Sequence, residues 1–182
     1  EQYDSYAKQT YRNRCLIMGP NGIIPLSIPV IKKSGIKTHM RDIRIDYSSN
    51  WNRIHWRSLV ASYASSPFFE YLDDELRPCY ERHFVFLMDL NQQLINITLD
   101  FLGWDSPVKR SEAFSPIKDD RDPRHFIHPK KDQAVADPAF LPREYQQVFS
   151  DRLGFCPNLS ILDLIFNLGP DSLSYLRACL KT

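Results

Sequence analysis

A four-residue turn between two apolar segments constrains the fold more than any other feature of the sequence. Residues 19–22 read Gly-Pro-Asn-Gly, and they separate the segment 8–18 from the segment 23–30. Glycine and Asn-Gly pairs supply the backbone conformations that tight hairpin turns require. The sequence therefore predicts a β-hairpin over residues 8–30. Pro25 and Pro29 lack the amide donors of a strand ladder, which indicates that the second strand lies at an edge.

The first segment of this hairpin carries basic side chains. Arg12 and Arg14 are two residues apart, so they share one face if both lie in a strand, and Lys8 comes four residues before Arg12. Two guanidinium groups on one partly buried face need an anionic partner. We expect Lys8, Arg12, Asn13 and Arg14 to bind an anionic small molecule such as a nucleotide-sugar. The alternative is an internal ion network, for which the sequence offers three carboxylates: Asp42, Asp46 and Asp163.

The remaining patterns predict an α+β fold, with a small, mostly antiparallel sheet in the first quarter packed against a larger helical remainder. Charged and apolar residues alternate over residues 40–46, which predicts a half-buried strand. Apolar residues recur at helical spacing further on, with Gly103 as a helix stop. The predicted helices are 51–65, 68–76, 80–102, 157–169 and 171–180. A length of 182 residues favours one domain over 1–182.

Charge and cysteine content narrow the function classes. The net charge is +1, although residues 1–60 hold ten Lys or Arg against four Asp or Glu. This near-neutral balance argues against nucleic-acid binding, and the basic first third favours a small anion or an internal acidic partner. No apolar run reaches the length of a membrane span, and four cysteines without close pairing predict free thiols in the cytoplasm.

Two helices carry polar stripes on faces that ought to be buried. One predicted helix starts at Trp51. One side of it carries His55, Ser58 and Ser62 together with the large residues Trp51 and Ile54. The opposite side carries three more large residues: Trp56, Val60 and Tyr63. We therefore expect this helix to be buried around most of its circumference. His55 is either a hydrogen-bonded core histidine or an acid–base group that lines a pocket.

The second stripe, in the carboxy-terminal helix, consists of Ser160, Asp163 and Asn167. The spacing of Ser160 and Asp163 is that of a capping box, which would make both residues structural. Asn167 lies two turns into the helix, so capping does not explain it. The stripe is therefore either structural or part of a substrate site.

Signatures of metal and cofactor binding are missing from the sequence. His125 and His128 have the spacing of a metal pair, but no further ligand completes a recognisable set. No phosphate-binding glycine loop, dinucleotide fingerprint or nucleophile elbow occurs either. We expect no metal and no cofactor.

Several segments together resemble the WbqC-like family. They are the Tyr-Arg-Asn-Arg run at 11–14 with the turn after it, the 42–46 segment followed by Trp51 and His55, the His-Pro-Lys-Lys run at 128–131, and the segments 145–149 and 158–167. The resemblance covers nearly the whole chain. It departs from the family in two ways. We expect the strand that members usually carry ahead of the region at residue 1 to be absent, and Leu168 stands where an acidic or small residue is common.

The resemblance implies a pathway more than a reaction. WbqC-like genes occur in clusters for bacterial surface polysaccharide, notably O-antigen. It implies a transferase that modifies a nucleotide-linked sugar, by aminoacyl, glycyl or other acyl transfer. The alternative is a non-catalytic binding or assembly protein of the same pathway.

Within this reading the candidate residues take separate roles. We expect His55 and Asp163 to be catalytic. We expect substrate contacts from the basic strand and from Ser160, Asn167 and Gln146, with the loop 118–137 closing over the site. Gln146 enters because it lies in the matching segment 145–149.

Overall fold

The computed structural model describes residues 2–8, 10–32, 37–116, 122, 124, 127, 137 and 139–180. Its first elements are β1, Arg14–Gly19, and β2, Gly22–Ser27, which pair antiparallel with Gly19 opposite Gly22. The hairpin prediction is therefore confirmed. Gly22 has a φ of +123°, a conformation that favours glycine. Strand β1 begins at Arg14, so Arg12 lies just before it and not within it.

A second two-stranded ladder is shorter than the sequence pattern predicted. Strand β3, Val30–Ile31, pairs antiparallel with β4, Arg44–Ile45. The prediction of a strand over all of 40–46 is wrong, because Met40–Asp42 forms a 3-10 helix. There the main-chain amide of Asp42 bonds to its neighbour His39 and not to a partner strand.

Three helices follow: α1, Trp51–Tyr63; α2, Phe69–Glu81; and α3, Leu87–Phe101. The predicted helix from Trp51 is confirmed, but its burial is narrower than expected. Its buried residues form one stripe: Trp51, His55, Leu59, Ser62 and Tyr63. Arg53, Arg57 and Val60 are exposed, so the side of the helix opposite this stripe faces solvent.

The predicted helix 80–102 is interrupted. Pro78 lies inside α2, which runs on through Tyr80 to Glu81 and buries Cys79 and Tyr80. Residues 84–86 then run beside β4, where Val85 accepts a hydrogen bond from the amide of Ile45 at 3.1 Å. Helical spacing continues through this segment in the sequence, but its main-chain hydrogen bonds go to the sheet.

The last described elements are helices α4, Ser150–Leu153; α5, Ile161–Leu168; and α6, Ser172–Ala178. Helix α5 lies against β1, since the amide of Ser160 donates to the carbonyl of Leu16 at 2.7 Å. One core joins the hairpin to α1, α2, α3 and α5, with Ile17, Leu59, Leu76, Leu90 and Phe166 fully buried. The α+β prediction is confirmed: small antiparallel ladders near the amino terminus pack against helices.

Candidate functional site

The basic segment before β1 lines two adjoining depressions, which we call the cationic cleft. The larger, about 300 Å³, has Lys8, Asn13 and Arg14 in its wall, together with Tyr6, Ser27 and residues 28–30. The smaller, about 120 Å³, has Arg12, Asn13, Arg14 and His55 in its wall. The two share Asn13, Arg14 and Ile28, so they form one continuous lining.

Two cations of the cleft, Lys8 and Arg14, have no carboxylate partner in the part of the chain that the structure describes. Lys32 lies nearby, with its ammonium 5.8 Å from the centre of the Tyr6 ring. The larger depression therefore carries uncompensated positive charge, which attracts an anion.

Arg12 differs from Arg14 because it has an acidic partner. Its guanidinium lies 3.7 Å from the carboxylate of Asp4. Asp4 also lies 3.2 Å from Arg124, and Arg124 contacts Asp122 at 2.5 Å. Hydrogen bonding to Asp122 raises the pKa of Arg124, and Asp4 adds to this effect. The partner of Arg12 is therefore Asp4, which is none of the three carboxylates expected from the sequence: Asp42, Asp46 and Asp163.

Asn13 is fixed by hydrogen bonds to Ile28, and one acceptor atom of its side chain has no partner among the described residues. Its side-chain amide donates to the carbonyl of Ile28 at 2.8 Å, and the amide of Ile28 donates back to the carbonyl of Asn13 at 2.8 Å. The Oδ1 atom is buried and has no hydrogen-bond partner among the described residues. A donor group on a ligand would satisfy this oxygen.

His55 lies on α1 at the wall of the smaller depression and is only 7% exposed. Burial lowers its pKa to about 4, and a hydrogen bond to the main chain of Ser27 opposes that shift. Trp51 packs edge-on against the imidazole, with ring centres 5.1 Å apart. The side chain is therefore a neutral imidazole at neutral pH, with one ring nitrogen committed to Ser27 and the other carrying a lone pair.

Cys15 also lines the smaller depression, next to Arg14. Burial raises the pKa of its thiol to about 11, and a hydrogen bond with Ser160 only partly offsets this. The thiolate is the nucleophilic form of cysteine. Cys15 is therefore a poor nucleophile at neutral pH, and it is a free thiol, as the sequence predicted.

Asp163 lies in a closed hydrogen-bond cluster and is fully buried. Its carboxylate accepts hydrogen bonds from Tyr63 at 2.8 Å, from Tyr145 at 2.6 Å and from Gln147 at 2.8 Å. Burial and the charge of Asp163 both raise the pKa of Tyr63, and burial with hydrogen bonding to Asp163 does the same for Tyr145. We call these four residues the Asp163 cluster. Both carboxylate oxygens are engaged by protein donors, so the structure does not bring Asp163 to His55.

The other candidates from the second half of the chain also have structural partners. Ser160 caps α5 by accepting from the amide of Leu162, and Asn167 donates to the carbonyl of Asp163 one turn back. Gln146 donates to the hydroxyl of Ser150 at 2.7 Å. None of the three lines the depressions that make up the cationic cleft.

Sequence reasoning missed three residues that shape the site. Tyr6 and Ser27 line the larger depression, and Asp4 neutralises Arg12. Ser27 sits at the end of β2, opposite Arg14 in the hairpin register, so the turn signal was enough to place it. No local pattern marks Asp4 or Tyr6, because both reach the cleft through an amino-terminal segment that bonds to residues 38–41.

Two expected absences concern metals and membranes. The described residues contain no group of three His, Cys, Asp or Glu arranged to hold a metal ion, and His125 and His128 lie outside them. Among the helices in the described ranges, none combines the length and the hydropathy that crossing a bilayer requires.

Comparison with known proteins identifies the family. The model of the WbqC-like protein family matches residues 2–137, about three quarters of the chain. The chain belongs to the WbqC-like protein family. The matched span of this WbqC-like chain contains all the residues of the cationic cleft and ends before Asp163.

One relative is similar to the chain beyond the matched span as well. The uncharacterised protein Rv1507c of Mycobacterium tuberculosis H37Rv is 27% identical over 199 residues, which covers 96% of this WbqC-like chain and 84% of the relative. No solved structure matches the chain.

Proposed function

We propose that this WbqC-like protein is a transferase that binds a nucleotide-linked sugar in the cationic cleft and modifies the sugar. One observation carries the proposal: Lys8 and Arg14 lack carboxylate partners in the described structure and lie along one lining with the neutral His55. The family resemblance links the reaction to bacterial surface polysaccharide of the O-antigen type.

The cleft offers the groups that a diphosphate requires. Arg14 presents a planar guanidinium, which donates two parallel hydrogen bonds to phosphate oxygens, and Lys8 adds a mobile point charge. The larger depression, about 300 Å³, falls at the lower end of the range of small-molecule sites. The open Oδ1 atom of Asn13 accepts a hydrogen bond from a hydroxyl or amine of the ligand.

His55 supplies the acid–base step in this proposal. As a sugar hydroxyl or amine attacks the carbonyl carbon of an activated acyl donor, the free nitrogen of His55 takes the proton that the nucleophile loses. The bond from the carbonyl carbon to the leaving group breaks, and the leaving group departs with that electron pair and takes the proton back from His55. A bound diphosphate raises the pKa of His55 toward neutrality, because an anion favours the imidazolium form.

Asp163 has a supporting role in this account. Tyr63 lies two turns after His55 on α1, and it bonds to both Asp163 and the amide of Met18. The Asp163 cluster thereby joins α1 to β1, the two elements that carry His55 and Arg14. This makes Asp163 a residue that positions the site from a distance.

A second candidate function is that of a non-catalytic binding or assembly protein of the same pathway. The observation in its favour is the environment of His55. The ring bonds to the carbonyl of Ser27, and in the described part of the chain no carboxylate bonds to it. A histidine without a carboxylate partner is less basic than one that has such a partner.

The test separates binding from turnover. Calorimetric titration with UDP-glucose, GDP-mannose and dTDP-glucose compares the wild type, Arg14→Ala and the control Arg57→Ala, which removes an exposed arginine of α1. We expect at least one sugar to bind, with about tenfold weaker affinity for Arg14→Ala only. His55→Gln is expected to bind the sugar like the wild type and to lose transfer from acetyl-coenzyme A, read by mass spectrometry. Equal affinity for wild type and Arg14→Ala would overturn the cleft as the site, whereas binding without transfer by the wild type would favour the second candidate.

A further inference from the structure

The smaller depression of the cationic cleft contains a hydroxyl group that the protein itself does not use. Tyr80, in the last turn of α2, lines this depression and is only 8% exposed. Within the described ranges no atom forms a hydrogen bond with its hydroxyl, and the neighbouring thiol of Cys15 bonds with Ser160 instead. Buried tyrosine hydroxyls usually have a hydrogen-bond partner. The open hydroxyl of Tyr80 therefore points to a ligand group as its partner.

Packing fixes the position and the protonation of this hydroxyl. The phenol ring packs against the indole of Trp56, with ring centres 5.6 Å apart, and the side chain of Asn52 donates to the main-chain carbonyl of Tyr80 at 2.8 Å. Burial raises the pKa of the phenol above its usual range, and the neighbouring thiols of Cys15 and Cys79 act in the same direction. The hydroxyl therefore keeps its proton at neutral pH and is a fixed hydrogen-bond donor.

The other walls of the smaller depression offer an acceptor and an apolar surface. The free ring nitrogen of the neutral His55 supplies the acceptor. Leu26, Leu90 and Leu94 supply the apolar part of the lining. A ligand group that matches all three features has one acceptor, one N–H donor and an apolar end. An N-acyl group has this combination, because its carbonyl accepts, its amide N–H donates and its alkyl end is apolar.

The size of the smaller depression agrees with a short acyl group. Its volume of about 120 Å³ corresponds to roughly four water molecules at about 30 Å³ each. An acetamido group is of this size, whereas a sugar ring or a nucleobase is larger. A carboxylate has only acceptors, so it would place an oxygen opposite the lone pair of His55.

Arg14 connects this depression with the proposed phosphate site. It lines both depressions, together with Asn13 and Ile28. A diphosphate bound by Arg14 and Lys8 in the larger depression therefore leaves the first carbons of its sugar at the border between the two. In a 2-acylamido sugar, the acylamido group is attached to the carbon next to the one that carries the diphosphate. That short spacing suits two adjoining depressions.

We propose that the smaller depression is the subsite for an N-acyl group, and that the cleft prefers nucleotide-linked 2-acylamido sugars to sugars without an acyl group. The hydroxyl of Tyr80 donates to the acyl carbonyl, and the amide N–H donates to the free nitrogen of His55. This inference rests on the proposed binding of a nucleotide-sugar in the cationic cleft, and it names the class of sugar. Such a sugar is what the proposed transfer yields when the acceptor is an amine.

The experiment compares two ligands that differ only at the second carbon of the sugar. UDP-N-acetylglucosamine and UDP-glucose are titrated calorimetrically into the full chain as wild type, as Tyr80→Phe and as the control Tyr71→Phe, which alters a tyrosine of the same helix that is 71% exposed. We expect the wild type and the control to bind UDP-N-acetylglucosamine at least about fivefold more tightly than UDP-glucose. Tyr80→Phe is expected to lose most of this preference and to keep its affinity for UDP-glucose.

The possible results separate the acyl subsite from the cationic cleft. Equal affinity of the wild type for the two sugars would overturn the subsite and leave the cleft as the binding site. A preference that Tyr80→Phe retains would overturn the role of Tyr80, and a wild type that binds neither sugar would overturn cleft and subsite together. Urea denaturation checks the fold of the variant. Tyr80→Phe is expected to be at least as stable as the wild type, because the hydroxyl has no described protein partner to lose.

Discussion

The cationic cleft and the Asp163 cluster both contain polar side chains that stood out in the sequence, but only those of the Asp163 cluster have their partners within the protein. Both contain polar side chains on helices with apolar buried faces, and both were candidates for catalysis. In the Asp163 cluster, three protein donors engage the carboxylate and no polar atom is left over. In the cleft, Lys8 and Arg14 have no described carboxylate partner and the Oδ1 atom of Asn13 is open. A buried polar group that has all its hydrogen-bond partners stabilises the fold, whereas a polar group that still lacks a partner is available to a ligand.

The largest expected effect on stability comes from a substitution in the Asp163 cluster. Asp163→Asn places an amide where the hydroxyls of Tyr63 and Tyr145 donate, so at least one donor loses its acceptor. We expect the free energy of unfolding to fall by about 4 kcal/mol, measured by urea denaturation. Asp151→Asn, an exposed change in α4, serves as the control. Wild-type stability together with lost sugar binding would place Asp163 in the site instead.

The next effect is the pH dependence that His55 imposes on stability. Its pKa is about 4 in the folded chain and near the ordinary value of 6.5 in the unfolded chain. Below pH 6.5 the unfolded chain takes up a proton that the folded chain refuses, so stability is complete above that pH and falls as the pH approaches 4. We expect a loss of about 3 kcal/mol over this window from His55 alone. Urea denaturation of His55→Gln at pH 7 and pH 4.5 checks this, since the variant should lose less stability than the wild type.

The two arginines of the cleft provide a smaller but sharper comparison. Arg12 is already paired with Asp4 at 3.7 Å, whereas Arg14 has no described carboxylate partner. A ligand phosphate gains most from the cation that is not neutralised. We expect Arg14→Ala to weaken UDP-glucose about tenfold and Arg12→Ala only about threefold, by calorimetry. The reverse order would mean that Asp4 yields Arg12 to the ligand.

The sequence predicted local features well and long-range partners poorly. The hairpin and α1 follow from turn residues and spacing within a few positions, and both are confirmed. The helix predicted from Tyr80 was wrong where the chain bonds to β4, a partner about forty residues away, and helical spacing carries no information on such pairing.

The candidate site shows the same limit. The sequence showed that Arg12 and Arg14 are two residues apart. It did not show that Arg12 pairs with Asp4 or that β1 begins only at Arg14. Asp163 stood out as a polar residue in an apolar helix. Its partners Tyr145 and Gln147 come from a different segment, so the sequence did not show that its carboxylate is already engaged.

The most direct test of ligand binding in the cationic cleft is the pKa of His55 measured with and without UDP-glucose, from the pH dependence of its imidazole NMR signals. His55→Gln identifies the signal. We expect a pKa near 4 in the free protein and a rise of about one unit or more with the nucleotide-sugar bound, because the diphosphate is anionic and also neutralises the positive charges of Lys8 and Arg14, which disfavour the imidazolium form. A pKa of His55 that saturating UDP-glucose leaves unchanged would contradict the claim that the cationic cleft is where the ligand binds.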